Sequence, residues 1–501
     1  GGTGTVNVTG TGGTTTGINN AGVAFNGSSL SNGISSSGGV INVTGTGGAG
    51  GLSPGVWFVS GLNGSIQSGS NAAINLTTDS LVMESGAINA GSGTVTIQNR
   101  STGTLIDVGG TSADALASPL KLGVSSAELA RITAGTVVVG RNDATASGNV
   151  TVNATNMGAM GNTSGNLTVL SGGLLTVSGA VTKTAGSEAN LTLRANKDIS
   201  VASNTTISTA SEPLNVVMNA NLGNAGGGVI LNSGAGVTTK GGDITMTGGG
   251  AATAAVLTHA GVFLNNATLD ATGVEGGNIS LTGTSNANAP VGTSGYDGVR
   301  VAVGGAIKTS GAGNITIQGT NPTKFASLSK GVVISEAKVS GGSSGTVSIT
   351  GDSSTSTTTT SYIYGVMFSG AAEVTTTGGN ISVTGFGGGG TGSISNQGIS
   401  VENANVKIMA GGAGTVTLNG TGGKGTNGSN YGIYLGNGKV GSAGGAISMT
   451  GTGGQFADNF GLVMANSFML DGSANAPVTI TADSINLAGG SILSGTASTT
   501  L

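Results

Sequence analysis

Short runs in which aliphatic and polar residues alternate recur along the whole chain. The first run, GTVNVTGTGG, spans Gly4–Gly13, and a second, GVINVTGTGG, spans Gly39–Gly48. Alternation with a period of two predicts a β-strand that directs Val6 and Val8 to one side and Asn7 to the other. The glycines that flank each run predict turns. The chain is therefore expected to consist of short strands separated by tight turns.

The first aliphatic residue of this run recurs at a nearly constant interval. The interval ranges from 31 residues, between Val416 and Ile447, to 36 residues, between Ile279 and Ile315. In the second half of the chain this residue is Ile244, Ile279, Ile315, Val347, Ile381, Val416, Ile447 and Val478. A fixed period of this size indicates a repeat protein in which each unit buries its apolar face against its neighbours.

Each period contains two further strand-like runs. One consists of Gly, an aliphatic residue, any residue and a large apolar residue, as in GVWF from Gly55 and GVMF from Gly365. The other is a short run such as Ala372–Thr376. We therefore predict an all-β fold, a parallel β-helix (solenoid) with three short strands per coil and about 15 coils. The alternative is that each period forms two short coils.

Residues 100–145 depart from the repeat pattern. Charged residues are more frequent there, and Ser125 and Glu128 have the spacing of a capping box, which predicts one short helix near residues 125–132. A strand is expected at Thr136–Val139. We divide the chain into β-helix repeats at 1–99, a variant coil with the helix insertion at 100–145, and repeats at 146–501, together forming one continuous solenoid domain.

Composition restricts the functions that this fold could carry. The chain has 100 glycines in 501 residues, no cysteine, 7% charged residues and a net charge of −4. Disulfide frameworks and Cys-ligated metal or haem sites are therefore excluded. Because basic residues are not clustered, we expect no nucleic-acid partner. Because no apolar run reaches about 18 residues, we expect no membrane insertion.

Candidate catalytic and metal-binding residues are sparse. The 20 acidic residues are spread thinly and form no column when the repeats are aligned. His259, the single histidine, is expected in a turn or on the surface, and Gly241–Asp243 is an isolated match to calcium-binding β-roll repeats. We therefore predict a protein that is not an enzyme and has no catalytic residues, cofactor or metal site.

The polar positions of the first run form a candidate ligand surface, which we call the polar ladder. It is expected to be a solvated column of hydrogen-bonding side chains, and the alternative is a binding module that recognises a surface glycan or ice. Its members are Asn7, Asn42, Thr245, Ser280, Thr316, Ser348, Ser382, Thr417 and Ser448.

The second motif contains a position that should face outwards but is mostly apolar, which we call the outward column. Such a column needs a cover. The cover would be either the chain's own Gly-rich loops or a neighbouring molecule, in which case this is a lateral assembly face. Its apolar members are Trp57, Phe263, Val333, Met367, Tyr434 and Val463.

The run LGVSSAELARITAGTVVVG at Leu122–Gly140, followed by GNVTV at Gly148–Val152, resembles a signature of filamentous-haemagglutinin-like bacterial exoproteins. These are exported by two-partner secretion or as autotransporters, and the resemblance implies a right-handed parallel β-helix at a Gram-negative cell surface. It also implies a secreted, extracellular, adhesin-like shaft or a self-assembling surface filament or sheath. We expect self-association, head to tail or lateral, or continuation into a longer chain.

Overall fold

The computed structural model describes most of the chain, in two compact units, Gly1–Met218 and Asn219–Leu501. In each unit, successive coils contribute parallel strands to three faces, so the fold is a parallel β-helix. The described residues are 3–14, 19–27, 33–50, 53–114, 120–161, 165–210, 212–222, 226–250, 260–285, 296–322, 328–472, 475–494 and 498–500.

The strands of the first unit follow the predicted order, except that the coil beginning at Thr94 has two second-face strands, Leu105–Val108 and Lys121–Val124, which pair with each other. The first sheet contains Val6–Thr11, Ile41–Thr46, Ile74–Thr78, Thr94–Gln98, Thr136–Gly140, Asn166–Ser171, Ala189–Ala195 and Leu214–Asn219. The second face contains Val23–Phe25, Val56–Phe58, Leu81–Met83, Leu105–Val108, Lys121–Val124, Val150–Val152, Leu175–Val177 and Ile199–Val201. The third face contains Gly33–Ser36, Ser65–Ser68, Ala87–Asn89, Ile132–Thr133, Thr155–Asn156, Val181–Lys183 and Thr206–Thr209.

The second unit repeats the same three-strand coil. Its first sheet contains Ile244–Gly248, Ile279–Thr284, Ile315–Thr320, Val347–Asp352, Ile381–Phe386, Val416–Thr421, Ile447–Thr452, Val478–Ala482 and Thr499–Thr500. Its second sheet contains Val229–Leu231, Val262–Asn265, Val299–Ala302, Lys330–Ser335, Tyr364–Ser369, Ile399–Val401, Ile433–Leu435, Leu462–Met464 and Ile485–Leu487. Its third sheet contains Gly236–Thr238, Thr268–Asp270, Ala306–Lys308, Lys338–Gly341, Glu373–Thr376, Lys407–Ala410, Lys439–Ser442, Met469–Asp471 and Ser491–Leu493.

The register of pairing shows that each period is one coil. Ile279 lies directly beside Ile315, and Ile315 beside Val347, with every following residue of these strands in step. The alternative of two coils per period is therefore wrong. In the described residues, first-sheet strands number eight in the first unit and nine in the second, which agrees with the predicted number of about 15 coils.

The interior is filled by stacked aliphatic side chains. In the coil that begins at Ile279, that residue is buried together with Leu281, Val299, Val301 and Ile307. The outward residues between them, such as Ser280 and Thr282, are half-buried. Because each aliphatic side chain stacks on an equivalent one in the next coil, a short coil that could not form its own core is stabilised by its neighbours.

The recurring glycines of the first two motifs form a seam where two strands of one coil meet. At each of these points a Cβ atom on the first-sheet glycine would fall on the carbonyl oxygen of the glycine that opens the second motif. The close approach is of backbone to backbone, so only glycine fits. The pairs are Gly10–Gly22, Gly45–Gly55, Gly248–Gly261, Gly283–Gly298, Gly319–Gly331, Gly351–Gly365, Gly385–Gly398, Gly420–Gly432 and Gly451–Gly461.

The predicted insertion is present in the first unit. A helix spans Ser126–Leu129, and the Ser125 side chain and Glu128 form the predicted capping box. The helix is shorter than predicted because Ile132–Thr133 is already a strand that pairs with the strand ending at Asn89. Around this insertion the second and third faces of the first unit each break into two separate sheets, whereas the first sheet continues.

In the second unit, the loops that connect the first sheet to the second end with the same backbone conformation in several coils. Three residues before the second-motif glycine, the backbone has a positive φ, for example 66° at Tyr362 and 68° at Ser429. The next residue is buried, and Asn396, Asn430 and Asn459 form a ladder at this position. The Asn396 Nδ2 atom donates to the Asn430 Oδ1 atom over 2.8 Å, and the Asn430 backbone N–H donates to Asn459 Oδ1 over 2.8 Å. These loops are therefore stacked like the coils that carry them.

Candidate functional surfaces

The polar ladder lies on the outer face of the first sheet, as the alternation predicts. In the first unit its asparagines bond to one another, since Asn42 Nδ2 donates to Asn7 Oδ1 over 2.8 Å. The series continues to Asn75, whose Nδ2 atom donates to Asn42 Oδ1 over 2.9 Å. In the second unit Thr316 is exposed. The ladder members Thr245, Ser280, Ser348, Ser382, Thr417 and Ser448 are half-buried.

In the second unit, the outward column lies on the outer side of the second sheet. In the first unit, it lies on the outer side of the second face. Val333 and Val463 are buried, being 3% and 5% exposed, so the chain itself covers them. Half-buried members of the column are Trp57, Phe263, Met367 and Tyr434. Trp57 Nε1 donates to Glu84 Oε2 over 3.2 Å, which holds its ring against the next coil. The column is thus neither fully covered nor fully open.

Part of the cover comes from a second set of residues, which we call the flank column. Each precedes a second-motif glycine and lies over the same outer face, as the bond from Arg300 Nη1 to Asp297 Oδ2 over 3.0 Å shows. In the coils from Gly298 onward its members are Asp297, Lys330, Tyr364, Gln397, Tyr431 and Phe460.

A buried charge cluster opens the flank column. The Asp297 carboxylate is fully buried and accepts from the Lys330 backbone N–H over 3.0 Å as well as from Arg300. Burial raises the pKa of Asp297 and lowers that of Lys330, and the attraction between these charges acts against both shifts. The Lys330 Nζ atom lies 5.6 Å from the centre of the Tyr364 ring. This cluster ties three successive coils together.

Farther along the same face lies an aromatic cluster, which we call the tyrosine patch. It consists of Tyr362, Tyr364, Tyr431, Tyr434 and Phe460. The rings of Tyr431 and Tyr434 are stacked with centroids 5.9 Å apart, and Phe460 lies 6.2 Å from Tyr431. Tyr362 and Tyr364 meet edge to face at 6.5 Å. Four of the five tyrosines of the chain are gathered here.

The Glu402 carboxylate organises the polar groups of the tyrosine patch. Ser400 Oγ donates to Glu402 Oε1 over 3.1 Å, and the Tyr364 side chain also hydrogen bonds to Glu402. Burial, with the nearby Glu402 charge, raises the pKa of Tyr364 and of Tyr434 above the usual range. Both phenols are therefore neutral hydrogen-bond donors at physiological pH.

The outer face of the third sheet in the second unit carries a series of ion pairs. Lys308 pairs with Asp270 at 2.8 Å, and Lys439 pairs with Asp471 at 2.5 Å. Glu373 lies between Lys338 and Lys407, at 3.3 and 3.4 Å. Although burial opposes it, hydrogen bonds from the two lysines hold the pKa of Glu373 below its usual value. The charges largely neutralise one another, so this face is not a strongly charged surface.

We expect Glu373→Gln to lower the free energy of unfolding by only about 0.5 kcal/mol, because exposed ion pairs contribute little to stability. Chemical denaturation at low and at high salt measures this. At high salt the difference between variant and parent should disappear, because the ions screen the attraction. A loss that persists at high salt would show that Glu373 has a packing role instead.

A carboxyl pair in the first unit was not predicted as a site. Asp114 Oδ1 accepts from the Gly123 backbone N–H over 2.7 Å, and its Oδ2 atom is shielded from solvent. Glu128, close to Asp114, accepts from the Met83 backbone N–H over 2.9 Å and from Ser125. Burial, reinforced by the Glu128 charge, raises the pKa of Asp114 to about 8.

Each of the remaining candidate residues from the sequence either has a structural role or lies outside the described residues. His259 lies outside the described residues. Asp243 Oδ1 accepts from the backbone N–H of Asn278 over 2.7 Å, so this carboxylate belongs to a ladder between coils. Within the described ranges, no three His, Cys, Asp or Glu side chains are grouped so that they could hold a metal ion. In the same part of the chain, no helix has the length and apolar character needed to cross a membrane.

Sequence reasoning did not find the tyrosine patch because its members come from two different columns and from a loop. Tyr434 was identified in the outward column, but Tyr364, Tyr431 and Phe460 lie in the flank column. Aligning the residue before each second-motif glycine would have shown the flank column, with its three aromatic residues and Gln397. Tyr362, with its positive φ, is placed by loop geometry that the repeat pattern does not show.

Compared with protein-family models, curated proteins and solved structures, the chain matches none of them.

Proposed function

We propose that this chain is an extracellular, adhesin-like β-helical shaft, part of a bacterial cell-surface adhesin or of a self-assembling surface filament or sheath. The observation that supports it most is the uniform register of the coils. In the second unit, residue pairs such as Val347 and Ile381, or Val416 and Ile447, stack without interruption. A coil that repeats in register supplies length and stiffness, which are the properties that a shaft requires.

The side chains on the outer faces support the same proposal. Carboxylates of the third sheet are paired with lysines, and asparagines of the polar ladder are paired with one another. Groups held in this way stabilise the stack of coils. The run at Leu122–Gly140, which resembles a signature of haemagglutinin-like exoproteins, adds the cell surface as the expected location.

Location and the rod shape are tested separately. Antibodies against the purified chain should label intact cells of the source organism in immunogold electron microscopy, and brief proteolysis of whole cells should remove the label. Negative-stain images of the purified chain should show straight rods, single or joined end to end or side by side. Label that appears only after the cells are permeabilised would contradict the surface location. Compact, isometric particles would contradict the shaft.

A further inference from the structure

We propose that the tyrosine patch of the second unit binds a saccharide chain, with the aromatic rings against the sugar rings and the Glu402 side chain accepting bonds from sugar hydroxyl groups. The proposal goes beyond the shaft function and does not depend on it. It concerns a different face of the coil from the polar ladder.

The concentration of aromatic side chains in the patch is unusual for this chain. Aromatic residues make up only 3% of the sequence, and the one tyrosine outside the patch, Tyr296, is fully buried. Tyr431, Tyr434 and Phe460 are half-buried, and Tyr362 is 45% exposed. Rings that are anchored on one side and open on the other offer a rigid apolar contact at little cost in conformational entropy.

The rings follow one another along the coils. Tyr364, Gln397, Tyr431 and Phe460 occupy the same flank-column position in four consecutive coils. Adjacent coils are separated by about 4.8 Å, the spacing of hydrogen-bonded strands. A polysaccharide presents apolar C–H faces at regular intervals. Because Tyr364 is only 6% exposed, a chain lying along the coils would contact the half-buried rings of Tyr431, Tyr434 and Phe460.

The polar groups of the patch suit hydroxyl ligands. Glu402 is half-buried, whereas Gln397 is only 5% exposed and its Oε1 atom is shielded from any ligand on the outer face. Glu402 therefore provides the acceptor for the sugar hydroxyl groups, and charged acceptors form the stronger hydrogen bonds.

The charges argue for a neutral saccharide. The Glu402 carboxylate would repel uronate, sulfate or phosphate groups. The Lys330 ammonium already lies over the Tyr364 ring, which disfavours a cationic ligand at that ring. The rings could instead contact a second copy of this chain. The experiment distinguishes a bound saccharide from such a contact between copies.

The full chain is tested on an array of neutral and acidic glycans, followed by titration calorimetry with cellohexaose, laminarihexaose, mannohexaose and chitohexaose. The test variant combines Tyr431→Gln with Tyr434→Val, because Gln397 and Val463 occupy the same columns in neighbouring coils. It should fold normally and bind its glycan about tenfold more weakly or worse. Glu402→Gln, which keeps the shape of the side chain, should also weaken binding severalfold.

Phe386→Thr is the matched control. Phe386 is 37% exposed on the outer face of the first sheet, and its neighbours in register are Asp352 and Thr421. Binding that Phe386→Thr leaves unchanged and the double variant loses supports the proposal. No bound neutral glycan on the array, binding restricted to acidic glycans, or equal binding by the double variant would overturn it. A double variant that changes the sedimentation coefficient but not glycan binding would also overturn it, in favour of a contact between copies.

Discussion

Replacing Gly420 with alanine is expected to lower the free energy of unfolding by about 4 kcal/mol. This loss is at or above the upper end of the range for substitutions that add atoms to a well-packed core. The added Cβ atom would lie on the Gly432 carbonyl oxygen and 2.6 Å from Ile433 Cγ1. Because both strands are paired with coils above and below, neither backbone has room to move aside. Guanidinium denaturation followed by circular dichroism measures the loss.

Gly428→Ala provides the control, since Gly428 lies eight positions farther along the same coil. Its Cβ atom would meet only the Asp458 Cβ atom at 3.7 Å, an ordinary van der Waals contact. The free energy of unfolding should change by about 0.5 kcal/mol or less, as for most surface substitutions. If both alanine variants unfold like the parent, the glycine seam is not a rigid contact.

Raising the pH from 5 to 9 is expected to loosen the helix insertion of the first unit, because Asp114 must then ionise within it. The folded pKa, about 8, lies above the value of 3.8 for an unperturbed aspartate, so the folded state holds the proton more tightly than the unfolded state does. The resulting stabilisation is complete below about pH 4 and is lost as the pH rises through 8. The ionised carboxylate should cost about 3–4 kcal/mol. Hydrogen exchange of peptides covering residues 105–131, corrected for the intrinsic rate at each pH, measures this.

Asp114→Asn should remove this pH dependence, since an amide resembles the protonated acid and keeps the acceptor for the Gly123 N–H group. Asp107→Asn is the matched control. Asp107 is only part-buried and pairs with Lys121 at 2.8 Å, so its loss should leave the loosening at pH 9 in place. Equal loosening in the Asp114 variant would assign the effect to another group.

The features that could be predicted from sequence are those that recur with the coil. The period of the aliphatic residues sufficed for the strand order, the stacking and the polar ladder, because each depends on which face of a strand a residue occupies. The capping box at Ser125 could likewise be predicted, since it depends on residues three positions apart. The end of the helix was not, because Ile132 pairs with Ile88, which is remote in sequence.

The candidate sites depend even more on contacts between residues that are remote in sequence. The tyrosine patch depends on Tyr364 reaching Glu402 in the next coil, and the raised pKa of Asp114 depends on burial beside Glu128. Neither contact has a fixed spacing along the chain. Burial of the outward column could not be predicted for the same reason, since Val333 is buried while Tyr434 keeps part of its surface open.

The glycine seam also bears on how such a chain diversifies. Each seam pair fixes the points at which a loop leaves the first sheet and enters the second, so the length between them does not alter the coil. Nine residues connect Thr46 to Val56, whereas fourteen connect Thr284 to Val299. Foreign peptides or small domains inserted at these loops would keep the pitch of the scaffold, and mutation could change what the loops display at many heights without reshaping the core.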